Sequence, residues 1–198
     1  MKKILSIFLL LFALISSNGF SQNSFTLPDG YRTYKDFDGK ESRADGDFDG
    51  DGVSDLAIVC ADNNDSKIIV VYLGSKWLVD QSYWWFPWDY YSKLSFSNNV
   101  LTIDSGDGEF INVILKLKHY SNLSNMKLIG YARDEYMRAL NPDNGTTEIV
   151  KVNSKNINLN TGEYQVDGGI KKKINISTIT LSDIEKYFVY LSQVGSNN

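Results

Sequence analysis

The chain has little of what most enzyme and scaffold classes require. It contains one cysteine, one histidine and three prolines in 198 residues. A single cysteine excludes an internal disulfide framework, and Cys60 follows the aliphatic run Leu56-Ala57-Ile58-Val59, so it is expected as a small buried hydrophobe. A single histidine, His119, at the end of an apolar stretch beside Tyr120, excludes a histidine metal cluster and reads as a structural residue. Gly-x-Ser-x-Gly, His-Glu-x-x-His, a phosphate-cradling glycine loop and a Cys–His pair are all missing. An excess of basic charge is missing too. Net charge is −4, and discounting Lys2 and Lys3 leaves 18 basic residues against 24 acidic ones, which argues against nucleic acid or an anionic membrane surface as partner. No internal repeat of 20–50 residues, as in solenoids and propellers, is visible.

Long hydrophobic runs are also scarce. The longest, Ile4 to Ile15, is interrupted only by Ser6 and falls short of the ~20 residues that span a bilayer. It follows Lys2-Lys3 and precedes the small, polar stretch Ser16-Ser17-Asn18-Gly19-Phe20-Ser21, the pattern of a secretory signal peptide. Gly19 and Ser21 place small residues at −3 and −1, so cleavage is expected after Ser21, giving a signal peptide over 1–21 and a single domain over 22–198. No cysteine follows the run, so no lipid or other membrane anchor is expected, and the location expected is periplasmic or extracellular.

What is present reads as β-structure. Short runs rich in Val, Ile, Tyr and Phe predict strands at Leu56–Cys60, Lys67–Leu73, Lys93–Phe96, Val100–Ile103 and Phe110–His119. The series continues at Met126–Ala132, Thr147–Val152, Ile157–Leu159, Glu163–Val166 and Lys173–Ile176. Asn98-Asn99, Asp107-Gly108, Asp143-Asn144-Gly145 and Thr161-Gly162 are tight-turn signals that make many connections hairpins. Phe110–His119 is the best candidate for a central strand, and Lys171-Lys172-Lys173 reads as a gatekeeper before an edge strand. One helix is expected near 182–193, capped by Ser182 with Glu185 completing a capping box, its stripe formed by Ile184, Tyr187, Phe188 and Leu191. The fold expected is therefore a single mainly-β domain, an antiparallel sheet or sandwich with one C-terminal helix.

The sharpest motif is Gly46-Asp47-Phe48-Asp49-Gly50-Asp51-Gly52-Val53-Ser54-Asp55-Leu56. Calcium takes six to eight hard oxygens at roughly 2.3–2.6 Å from a pliable loop. Asp47, Asp49 and Asp51, at alternate positions, can turn three carboxylates inward, while Gly52 takes a sharp turn. Val53 then offers a backbone carbonyl and Asp55 a further carboxylate at position nine. An EF-hand would close with Glu at position twelve; Ile58 stands there, already inside a strand. A register starting at Asp45 would put Val53 at position nine and is rejected. Like charges this dense repel by ~1 kcal/mol per close pair even in water, so a neutralising cation is expected, and calcium suits the ligand set better than magnesium.

This segment resembles the Asp-x-Asp-x-Asp-Gly-x-x-Asp-Leu loop of FG-GAP and VCBS repeat proteins, which include the integrin α-subunit propeller. The resemblance implies Asp47, Asp49 and Asp51 as carboxylate ligands, Val53 as a carbonyl ligand, Asp55 as the closing ligand and Leu56 as the start of a strand. A propeller needs at least four blades. This chain has one such loop, so no propeller is expected. More loosely, the order of elements, with Leu128-Ile129-Gly130-Tyr131 and Asn158-Leu159-Asn160-Thr161-Gly162-Glu163-Tyr164 near the end, is similar to small secreted bacterial proteins with one such loop. That resemblance implies a fold and a metal, and no reaction.

Tyr83-Trp84-Trp85-Phe86-Pro87-Trp88-Asp89-Tyr90-Tyr91 holds seven aromatics in nine residues. Two readings stand. The rings cover one open face of the sheet, or Trp84, Trp85 and Trp88 form a platform for a carbohydrate or protein ligand with Asp89 serving hydroxyls. Asp62-Asn63-Asn64-Asp65 and Asp104–Glu109 lack the spacing of the aspartate loop and read as solvated turns. The function expected is a non-enzymatic calcium-binding protein with a binding or structural role. The alternative is a secreted hydrolase of glycan or cell-wall material, for which a carboxylate pair would be needed.

Overall fold

The computed structural model describes residues 25–36, 38–74, 78–84, 91–123 and 125–195. They form a single mainly-β domain of two antiparallel sheets with one C-terminal helix. The five-stranded sheet comprises β1 (Arg32–Thr33), β2 (Arg43–Gly46), β3 (Asp55–Ala61), β4 (Lys67–Leu73) and β5 (Leu78–Trp84). Its order is β1-β3-β4-β5, with β2 on the same edge of β3 as β1 but opposite the other end of that strand. The seven-stranded sheet is a meander in which each strand pairs with the next: β6 (Tyr91–Ser97), β7 (Val100–Gly106), β8 (Ile111–Lys118), β9 (Lys127–Leu140), β10 (Thr147–Asn158), β11 (Glu163–Val166) and β12 (Lys172–Lys173).

Local chemistry explains the hairpins. Asn98 and Asn99 take φ of 52° and 59°, the left-handed pair that a two-residue turn needs to match the strand twist, and Ser97 pairs directly with Val100 across it. β7 and β8 alternate. Leu101, Ile103, Val113, Leu115 and Leu117 are fully buried, whereas Thr102, Asp104, Ile114 and Lys116 lie on the other face. Strand β8 is interior, between β7 and β9, as its apolar run predicts, whereas the edge strand expected at Lys173–Ile176 is shorter and earlier, Lys172–Lys173, within the lysine run itself.

β3 and β4 read differently because both their faces are covered. Ala57, Val59, Ile69, Val71 and Leu73 join the main core between the sheets. Leu56, Ile58, Cys60, Ile68 and Val70 lie on the far side under Leu27, Tyr31 and Tyr72. Unbroken aliphatic sequence follows from two-sided burial, at about 1.5–3 kcal/mol for each large side chain withdrawn from water.

The chain closes with α1 (Ile184–Gln193), which buries Ile184 and Leu191 and packs Tyr187 and Phe188 against the main core. Its cap corrects the sequence expectation. A 3₁₀ turn over Leu181–Asp183 precedes the helix, and Asp183 accepts from the Thr180 backbone N–H at 3.4 Å and its hydroxyl at 2.8 Å. Thr180 leads because Leu181, at 0% exposure, must enter the core, which starts the helical turn earlier than Ser182. Three further differences arise from weak sequence signals. β2 is short and carries no large apolar residue, and β5 lacks clean alternation, so neither announces itself. The separate runs predicted at Thr147–Val152 and Ile157–Leu159 belong to one strand, β10, whose register shifts between Lys151 and Asn153.

Candidate metal centre

The aspartate loop leaves β2 at Gly46 and enters β3 at Asp55, so the sheet fixes both its ends. Between them the loop folds on its own carboxylates. Asp47 Oδ1 accepts from the Gly50 and Asp51 N–H groups at 2.7 and 3.1 Å, and Oδ2 from Gly52 N–H at 2.9 Å. Asp49 accepts from Asp51 N–H at 3.3 Å, and Asp51 from Val53 N–H at 2.8 Å. Gly50 and Gly52 take φ of 80° and 84°. A Cβ at either would meet nothing within 4 Å, so backbone conformation rather than space calls for glycine there.

Asp55 is the buried member, at 2% exposure. Its Oδ2 accepts from Phe48 N–H at 2.5 Å and its Oδ1 from Gly74 N–H at 2.8 Å, joining the loop, the start of β3 and the end of β4. Burial raises its pKa above the usual carboxylate value. The two N–H groups oppose that rise, and the charges of Asp49 and Asp51 add to it.

Asp47, Asp49 and Asp55 each offer a carboxylate oxygen within 4.8 Å of the other two, the one such group of three among the described residues. Two oxygens bound to one ion at 2.3–2.6 Å are separated by at most about 5 Å. The trio therefore fits a hard cation and can hold a metal ion. Asp51, the fourth carboxylate of the loop, stands outside the trio. Val53 is 38% exposed at the loop's outer end. Asp45 lies in β2, is ion-paired with Arg43 and is not one of the trio. Ile58 is fully buried within β3.

Sequence reasoning missed the loop's hydrophobic anchor. Phe48, flanked by two aspartates, is 3% exposed, and its ring lies 4.6 Å from that of Phe96 in β6. The one signal available was an aromatic residue inside an otherwise polar loop.

The other sequence-predicted positions fall out simply. Cys60 is fully buried, and burial pushes its thiol pKa up to about 11, as suits an inert residue. His119 is 8% exposed and follows β8 directly. Asp62 accepts from the N–H groups of Asn64 and Ser66 at 2.8 Å each, and Asp107 from those of Glu109, Phe110 and Ile111, so Asp62–Asp65 and Asp107–Glu109 are turns, whereas Asp104–Gly106, expected in the second turn, form the end of β7 with Ser105 fully buried. Desolvation would raise Asp107, but those three donors outweigh it and hold its carboxyl below the usual value. Trp84 ends β5; Trp85, Trp88 and Asp89 lie outside the described residues. No helix among the described residues is long and apolar enough to cross a membrane. No family model, curated protein or solved structure matches the chain.

Proposed function

We propose that this chain is an exported, non-enzymatic calcium-binding protein of the periplasm or extracellular space, whose ion braces the junction between its two sheets. The observation that carries the reading is the convergence of Asp47, Asp49 and Asp55 oxygens within 4.8 Å on a loop already folded by its own N–H groups. Hard oxygen ligands on such a loop suit calcium, and the spacing's resemblance to FG-GAP and VCBS loops supports the same ion. In this reading Asp51 and the Val53 carbonyl complete the shell. The basic, apolar and small-residue segments at the start of the chain support export. A structural role fits the ligand chemistry, because the loop carries Phe48 into the core and Asp55 onto β4.

An ion held by the folded loop and not by the unfolded chain stabilises by RT ln(1 + [L]/Kd), about 2.7 kcal/mol at a hundredfold excess over Kd. With affinity in the range of extracellular modules, roughly 10⁻⁵–10⁻³ M, millimolar calcium should raise the melting temperature by several degrees. Thermal unfolding in calcium against chelator tests this. Coincident curves would remove the proposal.

A further inference from the structure

The outer face of the seven-stranded sheet carries a groove of about 280 Å³, remote from the aspartate loop and near the lower end of small-molecule sites. Its geometry follows from the register. Val113, Leu115 and Leu117 face the core, so Ile114 and Lys116 point away from it. One row across the strands runs Ile114, Ala132, Asn156, Gln165, and the next runs Lys116, Gly130, Asn158, Glu163. Gly130 and Ala132, in the longest strand, lower the middle of both rows and leave an apolar floor between polar rims.

Two of the rim amides are held from below. Asn158 Oδ1 accepts from the Asn160 and Thr161 N–H groups at 3.0 and 3.2 Å, which leaves its NH₂ as a fixed donor. Gln165 Nε2 donates to the Gly169 carbonyl at 2.8 Å, which leaves its Oε1 as a fixed acceptor. Elsewhere the sheet pairs its charges, Lys151 with Asp134 and Arg138 with Glu109. At the groove, Lys116, Asn156, Glu163 and Lys171 have no side-chain hydrogen bond or ion pair among the described residues.

A preset donor, a preset acceptor, a free amide and a free carboxylate around an apolar floor suit a ring bearing adjacent hydroxyls, with its C–H face on Gly130 and Ala132. The charge then narrows the class. Lys116 and Lys171 outnumber Glu163, giving a local positive excess on a chain of net charge −4, so the complement is an anionic ligand. We infer that this groove binds a short acidic saccharide of uronic-acid type, hydroxyls meeting Asn156, Asn158, Glu163 and Gln165 and carboxylates meeting the two lysines.

The test is isothermal titration of the purified full-length chain with digalacturonate, alongside neutral galactobiose, in calcium and in chelator. Digalacturonate should bind, and galactobiose should bind at least about tenfold more weakly. Lys116→Ala should weaken digalacturonate binding about tenfold, and Ala132→Leu, which fills the floor, should weaken it at least as much. Melting curves establish that both variants fold. Asp49→Ala should leave saccharide binding intact, so failure of the calcium reading and failure of this one are separate results. The inference is overturned if digalacturonate gives no binding heat, if both disaccharides bind equally, or if folded Ala132→Leu binds as the parent chain does.

Discussion

The ring of Phe48, in the aspartate loop, packs on the ring of Phe96 in the opposite sheet, with centroids 4.6 Å apart and planes at 47°. A loop that sequence chemistry marks as a cation site is thereby also a core element. Phe48→Ala should therefore lower stability by about 3–5 kcal/mol in metal-free buffer, the usual effect of deleting a buried aromatic side chain. It should weaken calcium binding as well, because the ring contact holds in place the backbone whose N–H orients Asp55. Urea unfolding in chelator measures the first effect and calorimetric titration the second. A loss below about 1 kcal/mol, the level of a surface substitution, would show that the ring contact contributes little.

The loop's register makes a sharper prediction. Asp49→Ala should abolish most of the calcium binding, whereas Asp45→Ala, which removes only the exposed partner of Arg43, should bind like the parent. Asp51→Ala should fall between, since its carboxylate lies outside the trio. Calorimetric titration of the three variants ranks them, and equal losses at 45 and 49 would contradict the register.

Much of the fold was legible because one-sided burial writes alternation and two-sided burial writes unbroken aliphatic runs. Leu101, Ile103, Val113 and Leu115 show the first pattern, and Ile58 through Ala61 the second. The convergence of Asp47, Asp49 and Asp55 was legible because all three stand in one short loop; that Asp51 stands outside the group was not. What escaped were relationships between distant residues. Nothing in the sequence of Gly74 says that its N–H will hold Asp55, nineteen positions earlier, and nothing in Gly46 says that Phe96 will cover it. β2 was hidden because pairing with β3, not its own sequence, which has no large apolar residue, makes it a strand.

Cys60 offers a test of the far side of the five-stranded sheet. Its thiol is buried and its pKa is pushed up from 9.0 to about 11, so at pH 8 only about one molecule in a thousand carries the thiolate that reacts. A disulfide reagent should label the native chain negligibly and the urea-unfolded chain completely. The linkage has a definite sign. The folded state holds this proton more tightly than the unfolded state, so stability is full below about pH 9 and falls as pH rises through about 11, by at most about 2–3 kcal/mol. Tyr131, pushed up to about 12 by burial, acts in the same direction at higher pH. Cys60→Ala should make the stability curve shallower between pH 9 and 11 without flattening it, and an unchanged slope would place the titration elsewhere.

Gly46 and Gly130 separate two reasons for glycine in a strand. Neither has the positive φ that would strain a side chain, so any difference between them lies in what covers them. A Cβ on Gly46 would come within 2.3 Å of Phe96 Cδ1 and 2.7 Å of Cε1, in a ring already engaged by Phe48. On Gly130 the closest approach is 3.5 Å, to Lys116 Cβ, an ordinary contact. Gly46→Ala should therefore destabilise by about 1–3 kcal/mol, the usual range for an overpacked core. Gly130→Ala should be neutral or stabilising by up to about 1 kcal/mol, because alanine restricts the unfolded chain. The strain at Gly46 adjoins Asp47, so its alanine variant should also bind calcium more weakly, while the Gly130 variant should bind it unchanged. Chemical denaturation and calcium titration of the two variants give four measurements, and equal stability losses would refute the close packing of Phe96 on Gly46.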